Sequence, residues 1–244
     1  MKHEILFVTT QRSDYGNKMN YLIKLLFCIF ISITYTSIAV ADDPVLVNCK
    51  KTPEIYDLNN KPHKFSLSNN LRRKMSSPAT AEGELIYIVG RITDINCIPI
   101  TGANVFIWQT NAHGIYQQNP YDKDNRLELI PEELDMYDYQ FIGSGKSVTD
   151  NLGNYSFITI MPGTNNKNKV PRIHFMLQHS EFPEFNTTMF FSGYDNNQDE
   201  KFKEINDIKL QNLLTAQYTI NHLGIKTYHF NITIGSENAH QSFK

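Results

Sequence analysis

One stretch constrains this chain more than any other: Gly90 to Tyr116, GRITDINCIPITGANVFIWQTNAHGIY. Ile86 to Thr93 is rich in β-branched residues and tyrosine, and Asp94-Ile95-Asn96 is turn material, so the segment reads as a strand. Pro99 to Gly102 is a second turn signal, and Asn104 to Trp108 reads as the next strand. Trp108 is the only tryptophan of the 244 residues, and Tyr116 lies eight residues beyond it. An aromatic content of 12%, with 13 Tyr and 15 Phe, suits a β-rich fold better than a helical bundle.

The rest of the chain repeats the pattern. Gly143 and Gly145 mark a turn, and TDNLGNY at 149–155 is a strand–turn–strand signal. Tyr155, Phe157, Thr159 and Met161 then share one strand face by alternation, which makes Tyr155 a packed structural tyrosine and not a ligand. Lys169–Gln178, Phe185–Phe191 and Thr227–Ile234 read as further strands. Apolar positions 202, 205, 208, 210, 213 and 214 predict one short helix near the C-terminus, within Phe202–Ala216. No repeat, heptad, phosphate-binding glycine loop or low-complexity tract interrupts this. The expected fold class is mainly β, an antiparallel or mixed β-sandwich.

Two regions resist assignment to regular elements. Asp42–Ala81 is polar, with Pro44, Pro53, Pro62 and Pro78 blocking long elements, and reads as an irregular N-terminal arm. Gln117–Gln140 is a long excursion rich in Asp, Glu, Asn and Tyr; such a loop is either functional or a solvated insertion.

Lys18 and Lys24 precede an apolar run from Leu25 to Ile38, and Ala39-Val40-Ala41 offers a small-x-small cleavage site before Asp42. Residues 1–41 therefore read as an export signal. Residues 1–18 are either a long polar leader or the product of a mis-assigned start, with Met19 the true one. An uncleaved membrane anchor is the competing reading, though Ser32, Thr34, Thr36 and Ser37 dilute the run. The expected location is periplasmic or secreted, with membrane contact through the signal alone. The formal net charge is −2, and no polybasic run suggests a nucleic-acid surface, so no nucleic-acid partner is expected. Cleavage removes Cys28 and leaves Cys49 and Cys97, so a Cys49–Cys97 disulfide is expected in an oxidising compartment, two unpaired thiols being the alternative.

Taken together, the motif blocks resemble one family. GRxTD…PIxGAxVxxW followed by GxY, then TDxxGxYxFxTxxPG and RIHF, is similar to the intradiol ring-cleavage dioxygenases, and WQTNAHGIY is most similar to their protocatechuate 3,4-dioxygenase branch. The resemblance spans roughly Asn69 to Ile234 in family order; CKKTPE and NNLRR resemble the arm that wraps the family's sandwich. It implies domain limits of 42–81 for the arm, 82–235 for an intradiol dioxygenase-type β-sandwich, and 236–244 for a tail. It also implies an oxidoreductase of aromatic compound catabolism, using non-haem Fe(III) and O2 to open catechol- or protocatechuate-type diols.

The family holds its ferric ion with two tyrosinates and two histidines, hard anionic donors completed by imidazole. By resemblance, Tyr116 falls on the first tyrosine and His174 on the second histidine. Asn165 stands at the second tyrosine, Arg172 at the first histidine, Lys169 at an arginine that polarises substrate, and Thr188 near a polar position. Residues 172 and 174 share a strand face, so Arg172 is expected to aim a permanent cation at the metal position. His179, five residues from His174, belongs on the opposite face, whereas His113 remains open as a substitute ligand. The metal set is thus Tyr116 and His174, and the site residues are Tyr116, His174, Lys169 and Arg172. For both Tyr116 and His174, packing inside the sandwich is the alternative role.

Two functions follow. One is a family enzyme acting through an altered iron site. The other is a non-catalytic exported β-sandwich, a binding or assembly module with an Arg172-lined cleft for a carboxylate. The protocatechuate branch pairs a catalytic chain with a related one lacking the ligands, so an oligomer fits either. The signal reading predicts that protein recovered from the periplasm or medium begins at Asp42. N-terminal sequencing reads this directly, and a mature chain retaining residues 19–41 returns the anchor reading.

Overall fold

Alternation in the sequence becomes alternation in burial. The computed structural model describes residues 49–117, 135–164 and 169–235. The expected signal segment, most of the Gln117–Gln140 excursion, Asn165 and the expected tail 236–244 lie outside the described residues. Nine strands are found among them: β1 Leu85–Asp94, β2 Asn104–Trp108, β3 Ser144–Val148, β4 Asn154–Ile160, β5 Arg172–His179, β6 Phe182–Phe191, β7 Thr215–Ile220, β8 Lys226–His229 and β9 Ile232–Ile234. Two short helices, α1 Glu200–Lys203 and α2 Ile208–Leu214, lie between β6 and β7.

The strand order is β3-β2-β5-β6-β7-β8-β1-β4, with β9 also beside β1. The β6–β7 link is only a short parallel pairing, Phe190 with Thr215 and Phe191 with Ala216, so it acts as a seam between two four-stranded layers. Ile86, Ile88 and Phe157 from one layer and Val105, Ile107 and Phe175 from the other are fully buried in one core. Phe175 packs its ring against Tyr155 at 6.0 Å and Phe230 at 5.1 Å. Each such buried side chain contributes about 1.5–3 kcal/mol. The result is the expected mainly β sandwich, with mixed pairing because β8 and β9 run parallel to β1.

The arm closes what the strands leave open. Lys146 on edge strand β3 donates to the Ser68 carbonyl, while Leu71 and Asn69 exchange backbone hydrogen bonds with Ile158 on edge strand β4. Both edges are thereby covered, which removes a template for unwanted strand pairing. Gly145, expected in a turn, lies inside β3 instead. The arm crosses there so closely that a Cβ would meet Leu71 and the Ser68 carbonyl, each at 2.6 Å. Earlier in the arm, Thr52 and Thr233 exchange hydrogen bonds and Ile55 N–H donates to the Asn186 carbonyl. The Cys49–Cys97 disulfide forms, with Cα atoms 5.2 Å apart, and fastens the start of the arm to the loop after β1. By chain-entropy reasoning a loop of that length stabilises by about 4 kcal/mol.

Two further sequence expectations need correction. The single strand expected over Thr227–Ile234 breaks at Phe230-Asn231. There the Phe230 carbonyl turns to accept the buried Tyr155 hydroxyl, and the Asn231 side chain takes the Arg91 N–H in place of a ladder bond. Tyr155 is thus the packed tyrosine its alternation indicates. The single helix expected over Phe202–Ala216 is two helices. Asp199 caps the first by accepting from Lys201 N–H and Phe202 N–H, Asp207 caps the second through Lys209 N–H, and Thr215 already belongs to β7. A second acidic cap restarts the helix within what reads as one apolar periodicity.

The crossing of β1 and the β8–β9 break permits no side chain at Gly90, where a Cβ would lie 1.8 Å from the Phe230 oxygen. Gly90→Ala is therefore expected to abolish folding or to destabilise far more than Gly102→Ala. Gly102, at φ 75°, has no atom within 4 Å of a Cβ and risks only about 1–2 kcal/mol of backbone strain. Urea unfolding of both variants measures the difference, and equal effects would contradict the crossing.

Candidate functional site

β5 sends its residues to two different places. Ile173, Phe175 and Leu177 enter the sandwich core, so Arg172 and His174 emerge on the opposite face of the sheet. Register places Trp108 of β2 beside His174, and His174 beside Thr188 of β6. The Trp108 ring stacks on the His174 imidazole, 4.9 Å between centres and 17° between planes. Phe65 of the arm covers Trp108 edge-on at 5.9 Å. His174 is 1% exposed.

Tyr116 reaches this row through the TNAHGIY turn. The Asn111 side chain accepts from His113 N–H and Ile115 N–H, and its backbone N–H donates to the Ile115 carbonyl. Gly163 N–H donates to the Asn111 carbonyl; a Cβ on Gly163 would meet the Ala112 oxygen at 2.0 Å, so the Pro162-Gly163 turn must carry glycine there. Held this way, the Tyr116 hydroxyl lies 2.7 Å from His174 Nε2. Thr188 Oγ1 stands 3.5 Å from His174 Nδ1.

Both groups are neutral. Burial, followed by the Arg172 charge, pushes the His174 pKa down to about 3, and Lys169 adds to the effect. Burial pushes Tyr116 up to about 12, against the pull of Arg172. The phenol therefore donates to Nε2, which leaves the imidazole proton on Nδ1, facing Thr188.

Arg172 does point to the His174 face, but it is not a bare cation. Nη2 donates to Asp57 Oδ2 at 3.1 Å, and Nη1 donates to Asp199 Oδ2. The three side chains are 12%, 8% and 2% exposed. Burial acts against the Arg172 charge, yet the neighbouring Asp199 and Asp57 carboxylates hold the guanidinium above its ordinary pKa. Asp199 divides its oxygens: Oδ1 caps α1 while Oδ2 takes the arginine. Asp57 Oδ1 and Trp108 Nε1 are buried without a hydrogen-bond partner.

Tyr116, His174, Arg172 and Thr188 are thus brought together. Lys169 is exposed and reaches His174 only through its charge. His113 is not a substitute ligand: it points to the surface, its Nε2 3.0 Å from Glu82. His179 bonds the Thr101 carbonyl at the far end of β5, away from Tyr116. Asn165 lies outside the described residues. Asp57 and Asp199 went unrecognised in the sequence. A signal existed for both, since an arginine on the buried face of a strand requires acids from elsewhere, and Asp199 heads a helical run.

The family's ferric ion does not fit these residues. Tyr116 and His174 offer two donors whose 2.7 Å spacing would suit neighbouring positions of one shell. The position that the resemblance gives to the other histidine carries the Arg172 guanidinium, which has no lone pair and repels a metal cation. The carboxylates near it are already bound to that guanidinium. Among the described residues, no three His, Cys, Asp or Glu side chains are grouped to hold a metal.

Comparison with known proteins adds an independent line. A family model described as Dioxygenase matches residues 62–235. A dioxygenase-named protein of Rickettsia typhi is 34% identical over 141 residues, covering 57% of this chain and 66% of that protein. The protocatechuate 3,4-dioxygenase beta chain of Burkholderia cepacia is 31% identical over 134 residues, covering 52% of this chain and 53% of that one. The chain therefore spans slightly less than two thirds of the first and about half of the second. The structure of an intradiol ring-cleavage dioxygenase from Tetranychus urticae superposes with TM-score 0.59 at 19% identity, covering 78% of this chain and 98% of that chain. The last comparison bears on the fold.

The depressed His174 pKa sets a pH dependence of stability. An unfolded histidine titrates near 6.5 and the folded one at about 3, so unfolding takes up a proton between these values. The stability it contributes is complete above about pH 6.5 and is lost as pH falls toward 3, with a slope approaching about 1.4 kcal/mol per pH unit. Urea unfolding at pH 7, 6 and 5 is expected to show this slope in the native protein and its loss in His174→Gln.

Proposed function

This chain belongs to the intradiol dioxygenase family, and on that premise we propose that it is an exported member in which the iron-dependent ring-opening centre has been given up. The observation that carries the reading is Arg172, placed where the resemblance puts a histidine ligand and paired with Asp57 and Asp199. Asn165, a side chain unsuited to anchoring Fe(III), stands where the resemblance puts the second tyrosine. The family's chemistry, O2-dependent cleavage of an aromatic diol, is accordingly lost, and the chain serves as a β-sandwich binding or assembly module.

Export belongs to the same proposal. The Cys49–Cys97 disulfide supports an oxidising compartment, in keeping with the apolar leader before Asp42. Among the described residues no helix is long and apolar enough to cross a membrane. The ligand class of such a module is a small aromatic diol or a carboxylate, as the resemblance implies. Arg172 already holds Asp57 and Asp199, which argues against it as a carboxylate's partner, whereas Lys169 is exposed.

One observation favours the enzyme reading. Tyr116 Oη and His174 Nε2 are close enough to serve as adjacent donors in an altered iron site. Metal analysis and a visible spectrum of the mature protein, produced with iron supplied, separate the two. The expected result is no stoichiometric iron, no tyrosinate-to-iron colour, and no turnover of catechol or protocatechuate. One ferric ion per chain with a charge-transfer band would restore the enzyme.

A further inference from the structure

Asp57 and Asp199 come from segments 142 residues apart in the chain, one in the arm and one at the head of α1, and both are buried beneath the outer face of β5. Two buried carboxylates close together repel each other and lose hydration, so both are held as anions only with a cation between them. Arg172 is that cation, with one guanidinium nitrogen on each acid. The fork does what a point charge on a flexible stem does poorly: it bonds two acids at once in a fixed plane. Asp57 Oδ1 is also buried and unpartnered, an acceptor left over in the same cradle.

We propose that Asp57 and Asp199 form a guanidinium-selective cation cradle, occupied in cis by Arg172, which ties the arm to the sandwich in the absence of iron. The proposal rests on the metal-free reading above and specifies what organises that site instead. The cradle fastens three segments at one point: the arm at Asp57, β5 at Arg172, and the entry to α1 at Asp199. A small apolar cluster lies alongside, with Ile55 from the arm, Val170 just before β5, Phe190 from β6, Phe202 from α1 and Leu214 from α2. The ligand class is a planar guanidinium, with ammonium and metal cations poor substitutes.

Chemical rescue tests this. Arg172→Ala keeps both acids and removes their cation, and is expected to lower Tm by about 10 °C. Low-millimolar methylguanidinium is expected to recover at least half of that loss, whereas methylammonium, iron salts and tetramethylammonium chloride at equal ionic strength recover little. The same additive should leave the native protein unchanged. In the triple variant Arg172→Met, Asp57→Asn, Asp199→Asn no cradle remains, so stability near the native value and no response to methylguanidinium are expected. If Arg172→Ala does not fold, Arg172→Met and Arg172→Lys carry the test, with the lysine variant intermediate and the methionine variant lowest. Recovery no better with methylguanidinium than with methylammonium, or Arg172→Met as stable as the native protein, overturns the cradle while leaving the metal-free reading intact. Iron bound by the native chain would overturn that reading instead, and this is measured separately.

Discussion

A buried arginine cannot be left alone in a protein interior, and much of the outer face of this sandwich follows from the way Arg172 is accommodated. Its strand face is dictated by alternation, since Ile173 next to it, like Phe175 and Leu177 further along, must enter the core. Once on the outer face beside His174, its charge requires partners, and no acid on β5 supplies them. Asp57 is brought in by the arm and Asp199 by the cap of α1. The neutral imidazole, the phenol that keeps its proton and the covered position of Trp108 all fit a site built around this one satisfied cation. Breaking such a buried pair from one side leaves an uncompensated charge and costs roughly 3–5 kcal/mol, which is why the three residues act as a unit.

The sandwich beneath supplies rigidity for this arrangement. β1 is its spine, paired with β4 on one side and with β8 and then β9 on the other. Where β8 passes into β9, the backbone approaches Gly90 too closely for any side chain, and the Tyr155 hydroxyl caps the displaced carbonyl. The arm then covers both sheet edges and is fastened at its start by the disulfide. An arm without regular structure can thus deliver Asp57 to a defined place, because its backbone is hydrogen-bonded to strands at intervals.

Much of this was legible in the residues. β2 has the limits its turn signals indicate, β1, β5 and β6 lie within a few residues of their alternation, and the disulfide is the pairing expected of the two cysteines beyond residue 41. Tyr116 and His174, singled out by motif spacing, do meet at 2.7 Å. Gly145 was misread because glycine marks a turn and a close backbone crossing alike, and only the crossing chain tells them apart. The single C-terminal helix was misread because apolar periodicity runs through Asp207 without registering that an acid can recap the chain. His113 stayed open as a ligand on sequence proximity to Tyr116, yet a turn can send neighbours in opposite directions, and Glu82 holds it outside.

The resemblance alone implied the departure from a four-ligand iron set; local rules of propensity, alternation and turn chemistry were enough to indicate most of the strands, the sandwich class and the covered tyrosine at 155. These depend on residues a few positions apart, whose relation the chain itself enforces. What Arg172 does was settled only by the tertiary structure. Sequence shows a cation where the resemblance puts a ligand, and so suggests a repelled metal or a captured carboxylate. The folded chain brings Asp57 and Asp199 to it from 115 positions upstream and 27 positions downstream. Electrostatic energy depends on distance in space, and distance in space is what a sequence does not state.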